Sequence, residues 1–289
     1  MRLHLPLALA ASALLAGCAA TPSRPAAAPM AAAAADDNLN AVAWTQTAIE
    51  HDLIYLQTYR EAQSHLLAAL RDPQWDALSK EDRAAPVTGL PPAVVLDIDE
   101  TVLDNSPYQA RLVKSGGQYD EASWAAWCKE ERARAMPGAL AFTQFAAAHG
   151  VAVIYLSNRA TDLDTATLAN LRKLGFPVAG PAAFLGLGTV LPGCEQIGTE
   201  KGCRRQLVSQ KYRVLMQFGD QLGDFVDVVA NTEAGRKQAI DGYMGWIGTR
   251  WFVLPNPTYG SWEPALFNND WSAPPAVRRQ QKLDALRYN

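Results

Sequence analysis

The chain has 289 residues, 49% of them hydrophobic, and a formal net charge of −3. That length and apolar share suffice to bury the core of one α/β domain carrying insertions. The lack of a basic bias excludes a nucleic-acid polymer as partner, and so slight an acidity points to no basic partner either.

Arg2 precedes an apolar run over residues 3–16, too short for a permanent membrane span and ending in small residues, which is the pattern of a secretory signal. Its end, Leu14-Leu15-Ala16-Gly17-Cys18, resembles a bacterial lipobox. The resemblance implies removal of residues 1–17 and lipid on Cys18, with more than one acyl chain holding the protein on a membrane. An ordinary signal peptide with an incidental cysteine is the alternative. Ala19 after the cysteine, rather than Asp, points to the outer membrane of a Gram-negative host, with the periplasmic and surface faces both open. Residues 18–37 are mostly Ala and Pro without apolar periodicity and read as a tether, which leaves 38–289 as the folded domain.

Residues 40–70 predict an N-terminal helical extension, with Val42, Ile49, Leu53, Leu56, Leu66, Leu67 and Leu70 at helical spacing and Trp44, Tyr55 and Tyr59 as core aromatics. A Pro-bounded connector over 86–92 delivers the chain to a first strand at 93–96. A helix over 138–149 leads into a second strand at 151–156, and a helix over 161–174 closes at Gly175. A weaker strand at 184–185 and strong ones at 214–218 and 251–254 complete the set. Strands alternating with helices predict a three-layer, Rossmann-like α/β fold with a parallel sheet. Residues 105–137, which carry Tyr108, Trp124 and Trp127, exceed what one crossover helix needs and read as a small, mostly helical cap.

Directly after the first strand comes Asp97-Ile98-Asp99-Glu100-Thr101-Val102-Leu103-Asp104. Two carboxylates at i and i+2 then sit at a strand's carboxyl end, where open α/β sheets bind ligands. Strand alternation would send their side chains to opposite faces, but a strand opening into a loop can bring both to one site. Their repulsion calls for a cation, naturally a metal ion; an Asx-rich turn is the rival reading. The other strand ends decide between the two. Ser157-Asn158-Arg159 follows the second strand, Lys201 with Arg204-Arg205 precedes the third, and Gly219-Asp220-Gln221-Leu222-Gly223-Asp224 follows it. A hydroxyl, a cation and a second acidic pair each have a task in phosphoryl transfer, where positioning and charge neutralisation dominate. Cys194 and Cys203 bracket a short Gly-containing loop that a disulfide could close, which leaves Cys128 unpaired and buried; the scattered His4, His51, His65 and His149 suggest no zinc site.

Together these motifs resemble the haloacid-dehalogenase superfamily, and more narrowly its class C acid phosphatases, the lipoprotein-e family of bacterial outer-membrane phosphatases and 5′-nucleotidases. The narrower likeness runs from about residue 40 onward. Leu103-Asp104-Asn105-Ser106-Pro107-Tyr108, the Trp124/Trp127 segment, Ser157-Asn158-Arg159, Lys201 through Arg205, Gly219 through Phe225 and Pro255 through Trp262 carry it.

The resemblance implies that Asp97 attacks phosphorus to give an aspartyl-phosphate, while Asp99 acts first as acid and then as base. It implies Mg²⁺ held by Asp97, the Asp99 backbone carbonyl and Asp220, with Asp224 as a further ligand or as acceptor for a metal-bound water. Ser157 and the Asn158 N–H would hold phosphoryl oxygens, and Lys201 would neutralise their charge. Lys211 competes for that role, but Lys-Gly-Cys-Arg-Arg resembles the family's motif at a helix start. Arg159 reads equally as a salt-bridge partner or a substrate contact, and Asp104 reads as a brace. A nucleobase would lie between Trp124 and Tyr259, ordinary core packing being the rival reading for both.

The expected function is a metal-dependent acid phosphatase for small phosphate monoesters, nucleoside 5′-monophosphates included. A sugar-phosphate phosphatase and a non-catalytic ligand-binding relative are the alternatives. Dehalogenation would have no use for the acid Asp99. The oligomeric state stays open, a homodimer included.

Overall fold

The computed structural model describes residues 37–288; the expected signal peptide, Cys18 and all but the last residue of the expected tether lie outside them. The helix expected over 40–70 divides at Ala48, whose extended backbone separates α1 (Leu39–Thr47) from α2 (Ile49–Arg71). The buried stripe of α2 runs His51, Tyr55, Tyr59, Ala62, Leu66 and Ala69, as a helix with one apolar face requires. Ile49 and Leu53, expected among the apolar positions, are instead 61% and 53% exposed. The tyrosines take the inner face because their rings fill the core while their hydroxyls find partners there. Tyr55 donates to the Glu100 carbonyl at 2.5 Å and Tyr59 to that of Thr101 at 2.8 Å, both in the loop after the first strand.

After α2 come β1 (Pro92–Leu96), β2 (Leu103–Asp104), α3 (Ser106–Ser115), α4 (Glu121–Lys129), β3 (Arg134–Ala135), α5 (Ala139–Ala148) and β4 (Ala152–Ala160). Then follow α6 (Asp164–Leu174), β5 (Phe184–Leu187), α7 (Gly202–Ser209), β6 (Arg213–Gly219), α8 (Glu233–Ile240), β7 (Trp251–Val253) and α9 (Pro275–Asp284). Five strands form one parallel sheet in the order β5-β4-β1-β6-β7. The chain builds outward from β1 to β4 and β5, then crosses to add β6 and β7 on the other side. That reversal leaves a crevice at the carboxyl ends of β1 and β6, the usual ligand site of such sheets.

Alternate residues of β1 enter different layers. Val94 and Leu96 pack with residues of α2, α5 and α6, whereas Ala93 and Val95 pack with Val208 of α7, Phe225 and Trp251. Burial on both faces explains why the strands read as continuous apolar runs. Phe218 of β6 stacks between Tyr59 and Phe252, with ring centroids at 5.3 and 5.0 Å.

In the span expected as a cap, α3 and α4 are closed off by the short antiparallel pair β2–β3. Across that pair Arg134 donates to Asp104 at 2.7 Å, and Asp104 also accepts the Ser106 N–H at 2.9 Å. Asp104 thus braces the base of the α3–α4 segment. Asp36–Asn289 forms one compact unit, and among the described residues no helix is long and apolar enough to cross a membrane. Cys194 and Cys203 are joined by a disulfide, while Cys128 is free and buried.

Candidate active site

β1 ends at Leu96, and the Asp97 N–H continues the ladder by donating to the Phe218 carbonyl at 3.0 Å. The chain then folds into a tight turn, in which the Ile98 carbonyl accepts from the N–H groups of Val102 and Leu103 at 2.9 Å. This turn parts the two aspartates. Asp97 joins a buried cluster with Lys201, Asp220 and Asp224, whereas Asp99 turns to Ser157, Asn105 and Arg159.

Lys201 stands at the start of α7, and its ammonium has three donors. They go to Asp97 Oδ1 at 2.5 Å, Asp224 Oδ1 at 2.7 Å and the Leu156 carbonyl at 2.9 Å. Burial works against its charge, but Asp224 and Asp97 more than offset this and hold its pKa above the ordinary lysine value. Lys211, the competing candidate, is exposed and makes no ion pair among the described residues. The arginines Arg204 and Arg205 fasten the helix that follows Lys201 to β4 and to the segment that follows β6. Arg204 donates to the Ser157 carbonyl and to Asn158 Oδ1, each at 2.6 Å. Arg205 donates to Asp82 at 2.6 Å, to Asp227 at 2.6 Å and to the Gly223 carbonyl at 2.7 Å.

One carboxylate oxygen from each of Asp97, Asp220 and Asp224 lies within 4.8 Å of the others. Asp224 already accepts from Lys201 through Oδ1 and from the Gln221 N–H through Oδ2 at 2.8 Å. Asp220 Oδ2 accepts from Gln221 Nε2 and Asn256 Nδ2, both at 2.8 Å. Asp97 Oδ2 and Asp220 Oδ1 are left without a protein donor among the described residues. Three carboxylates against one ammonium leave two negative charges uncompensated. An all-oxygen donor set with that imbalance fits a hard divalent cation. The crowding registers in the carboxyls themselves. Burial, then Asp224, pushes the Asp220 pKa up to about 7. Burial raises Asp97 well above the carboxylate range, with Asp224, Asp220 and Asp99 adding to the shift and Lys201 opposing it. Gly219 admits this arrangement, because a Cβ there would run into the Asp224 carboxylate.

The Asp99 side chain lies outside the cluster. Its Oδ1 accepts from Asn105 Nδ2 at 2.8 Å and Arg159 Nε at 2.9 Å, and its Oδ2 from Ser157 Oγ at 3.2 Å. Arg159, 1% exposed, is therefore a salt-bridge partner of Asp99; its guanidinium also lies over the Trp124 ring at 5.5 Å. Asn105 Oδ1 in turn accepts from Trp127 Nε1 at 2.8 Å, which ties α4 to the same network.

Trp124 packs against Tyr108 and Tyr119, and Tyr259 donates its hydroxyl to Glu100; no ring contact joins Trp124 and Tyr259 among the described residues. Sequence reasoning passed over Glu100, which lay hidden in an acidic run, and Asp82, which nothing nearby marks. It also passed over Asn256, although Asn256-Pro257-Thr258 carries a turn signal: Asn256 Oδ1 accepts the Thr258 N–H at 2.9 Å.

A carboxylate cluster at the ends of β1 and β6 thus meets a hydroxyl near the carboxyl end of β4 and a lysine at the start of α7, an arrangement suited to an oxyanion beside a cation. The chain belongs to the HAD superfamily, subfamily IIIB (acid phosphatase), which matches residues 18–262. Among solved structures it is similar to the class C acid phosphatase from Bacillus anthracis with tungstate bound. The two are 35% identical with a TM-score of 0.75, covering 87% of this chain and 97% of that one. A second structure of the Bacillus anthracis phosphatase matches with the same figures. Curated relatives include the stem 31 kDa and stem 28 kDa glycoproteins of Glycine max, each 27% identical over 165 residues, 57% of this chain and 58% of theirs. The chain thus spans less than two thirds of the length of these relatives.

The Asp220 shift sets a pH dependence for the metal-free protein. Between the unfolded carboxyl value of about 4 and the folded value of about 7, the native state keeps a proton that the unfolded chain has lost. Native stability therefore falls as pH rises through that window. Thermal melts of the chelated protein should give a higher Tm at pH 5 than at pH 7.5, and a millimolar divalent cation should narrow the gap. A chelated protein whose Tm rises over this range would contradict a raised Asp220 pKa.

Proposed function

We propose that this chain is a metal-dependent acid phosphatase that hydrolyses small phosphate monoesters, nucleoside 5′-monophosphates among them, through an aspartyl-phosphate on Asp97. The observation that carries the reading is the buried contact of Asp97 with Lys201 beside Asp220 and Asp224, with Asp99 held apart on a separate set of partners. Membership of the acid phosphatase subfamily supports a phosphoric monoester hydrolase. The tungstate held by the Bacillus anthracis phosphatase, a tetrahedral oxyanion, supports an oxyanion-binding site.

In this reading the unengaged Asp97 oxygen attacks phosphorus while Lys201 draws off charge from the phosphoryl oxygens. Asp99 delivers a proton to the departing alkoxide, then takes one from the water that cleaves the phospho-aspartate. Arg159 and Asn105 keep the Asp99 carboxyl in place for both transfers. The Ser157 hydroxyl, which donates to Asp99 at rest, and the Asn158 N–H turn to phosphoryl oxygens when substrate enters. Mg²⁺ bound to Asp97, Asp220, Asp224 and the Asp99 carbonyl would offset the carboxylate charge that otherwise repels an anionic ester. Trp124 and Tyr259 are the candidates for holding the organic part of the ester, by stacking that tolerates different bases.

The Cys18 lipobox supports export and a lipid anchor at the outer membrane, and the Cys194–Cys203 disulfide supports an oxidising compartment.

Three measurements test this reading. Asp97→Asn should lower phosphate release by about a thousandfold or more at unchanged fold; near-normal turnover removes Asp97 as nucleophile. Trp124→Ala should lower the ratio of activity on AMP to that on p-nitrophenyl phosphate, and an unchanged ratio ends the case for a nucleobase platform there. In cells fed labelled palmitate, the protein should take up label and Cys18→Ser should not. Equal labelling of both would place any lipid elsewhere.

A further inference from the structure

Glu100 is 2% exposed, and its carboxylate meets no lysine or arginine among the described residues. Leaving a carboxylate buried without a cation is unfavourable unless its oxygens find donors. Here each oxygen finds one from a different part of the fold. Oε1 accepts the Asn105 N–H at 2.7 Å, at the entrance to the cap, and Oε2 accepts the Tyr259 hydroxyl, in the loop that follows β7. The Tyr55 hydroxyl of α2 lies 2.5 Å from the Glu100 carbonyl and 3.2 Å from that of Pro255, which places it between the turn and the loop after β7. Glu100 also adopts a φ of 52°, a left-handed conformation uncommon for a residue with a side chain. Within that turn Asp99 and Glu100 share Asn105, which gives its side-chain amide to one and its N–H to the other, but otherwise go to different partners.

We propose that Glu100 is a positioning residue. It fixes Tyr259 relative to the Asp97–Asp99 turn and the cap, and so sets how tightly the organic part of a phosphate ester is held. The inference rests on the phosphatase reading and extends it to a residue that touches neither phosphate nor metal ligand side chains.

Three substitutions separate this role from mere packing. Glu100→Ala removes both acceptors. Tyr259→Phe keeps the ring and removes the hydroxyl. Glu100→Gln can keep both links, because its carbonyl accepts the Asn105 N–H while its amide donates to a Tyr259 hydroxyl turned acceptor. Steady-state kinetics on AMP should show KM raised about fivefold to tenfold in Tyr259→Phe, as expected for one lost hydrogen bond, and at least as much in Glu100→Ala, which loses two, with a smaller change in kcat. The double variant should be no worse than the poorer single, since both remove one link. Glu100→Gln should recover most of the loss. Inhibition by inorganic phosphate, which uses the Ser157–Lys201 end alone, should move less than KM does.

Additive losses in the double variant overturn the proposal. So does a fall in kcat at constant KM in Glu100→Ala with Tyr259→Phe unaffected, since that would put Glu100 in the chemistry rather than behind Tyr259. If Glu100→Ala does not fold, Tyr259→Phe alone and combined with Glu100→Gln carry the same comparison, and an unchanged KM in both overturns the proposal. Wild-type turnover of p-nitrophenyl phosphate, measured alongside, separates the two levels. Turnover without the coupling removes only the role of Glu100, whereas no turnover removes the phosphatase reading and this inference with it.

Discussion

The Lys201 ammonium, buried among Asp97, Asp224 and the Leu156 carbonyl, is the interaction on which the rest of the site depends. Without it, Asp97, Asp220 and Asp224 would face one another as bare charges in a desolvated crevice, and like charges so close cannot all stay ionised. With it, one oxygen on Asp97 and one on Asp220 remain free of protein donors, in a place where an anionic ester still meets a cation. A lysine on a flexible stem does not hold such a position by itself. Arg204 and Arg205 hold it, by tying the start of α7 to β4 and to the loop after β6 with hydrogen bonds of 2.6 to 2.7 Å.

The sheet supplies the other half of the constraint. β1 and β6 lie side by side, so the Asp97 N–H pairs with Phe218 and the two acidic loops emerge next to each other. Beneath them, Phe218 is stacked between Tyr59 and Phe252, and the Tyr55 and Tyr59 hydroxyls hold the carbonyls of Glu100 and Thr101. Core packing and loop placement are therefore carried by the same side chains. A change in α2 would reach the chemistry through two hydrogen bonds.

The turn over Ile98–Leu103 gives two carboxylates different surroundings only two residues apart. Asp97 is pressed against a cation and two acids, whereas Asp99 accepts from a hydroxyl, an amide and a guanidinium. In the proposed mechanism, these separate environments let one carboxylate act as nucleophile and the other as proton carrier.

The alternation of strands and helices, the order of the acidic, hydroxyl and lysine motifs and the place of the two acidic motifs at strand ends were legible in the amino-acid sequence, whereas Ser157-Asn158-Arg159, expected just after a strand, lie inside β4. Burial on both faces of a parallel sheet leaves continuous apolar runs, and a chain that stops being a strand must announce its next residues. The face that α2 buries was not legible, because Ile49 and Leu53 carry the same apolar signal as core residues and only the tyrosine partners in another segment show which side is inward. Nor were the pairings of Asp99 with Arg159, Arg205 with Asp82, and Glu100 with Tyr259, which join residues 60, 123 and 159 positions apart. By itself the sequence determined which kinds of group stand at each strand end, because local pattern dictates where strands stop. Only the tertiary structure decided which group faces which, because charge pairing acts through space and depends on how the strands are ordered in the sheet.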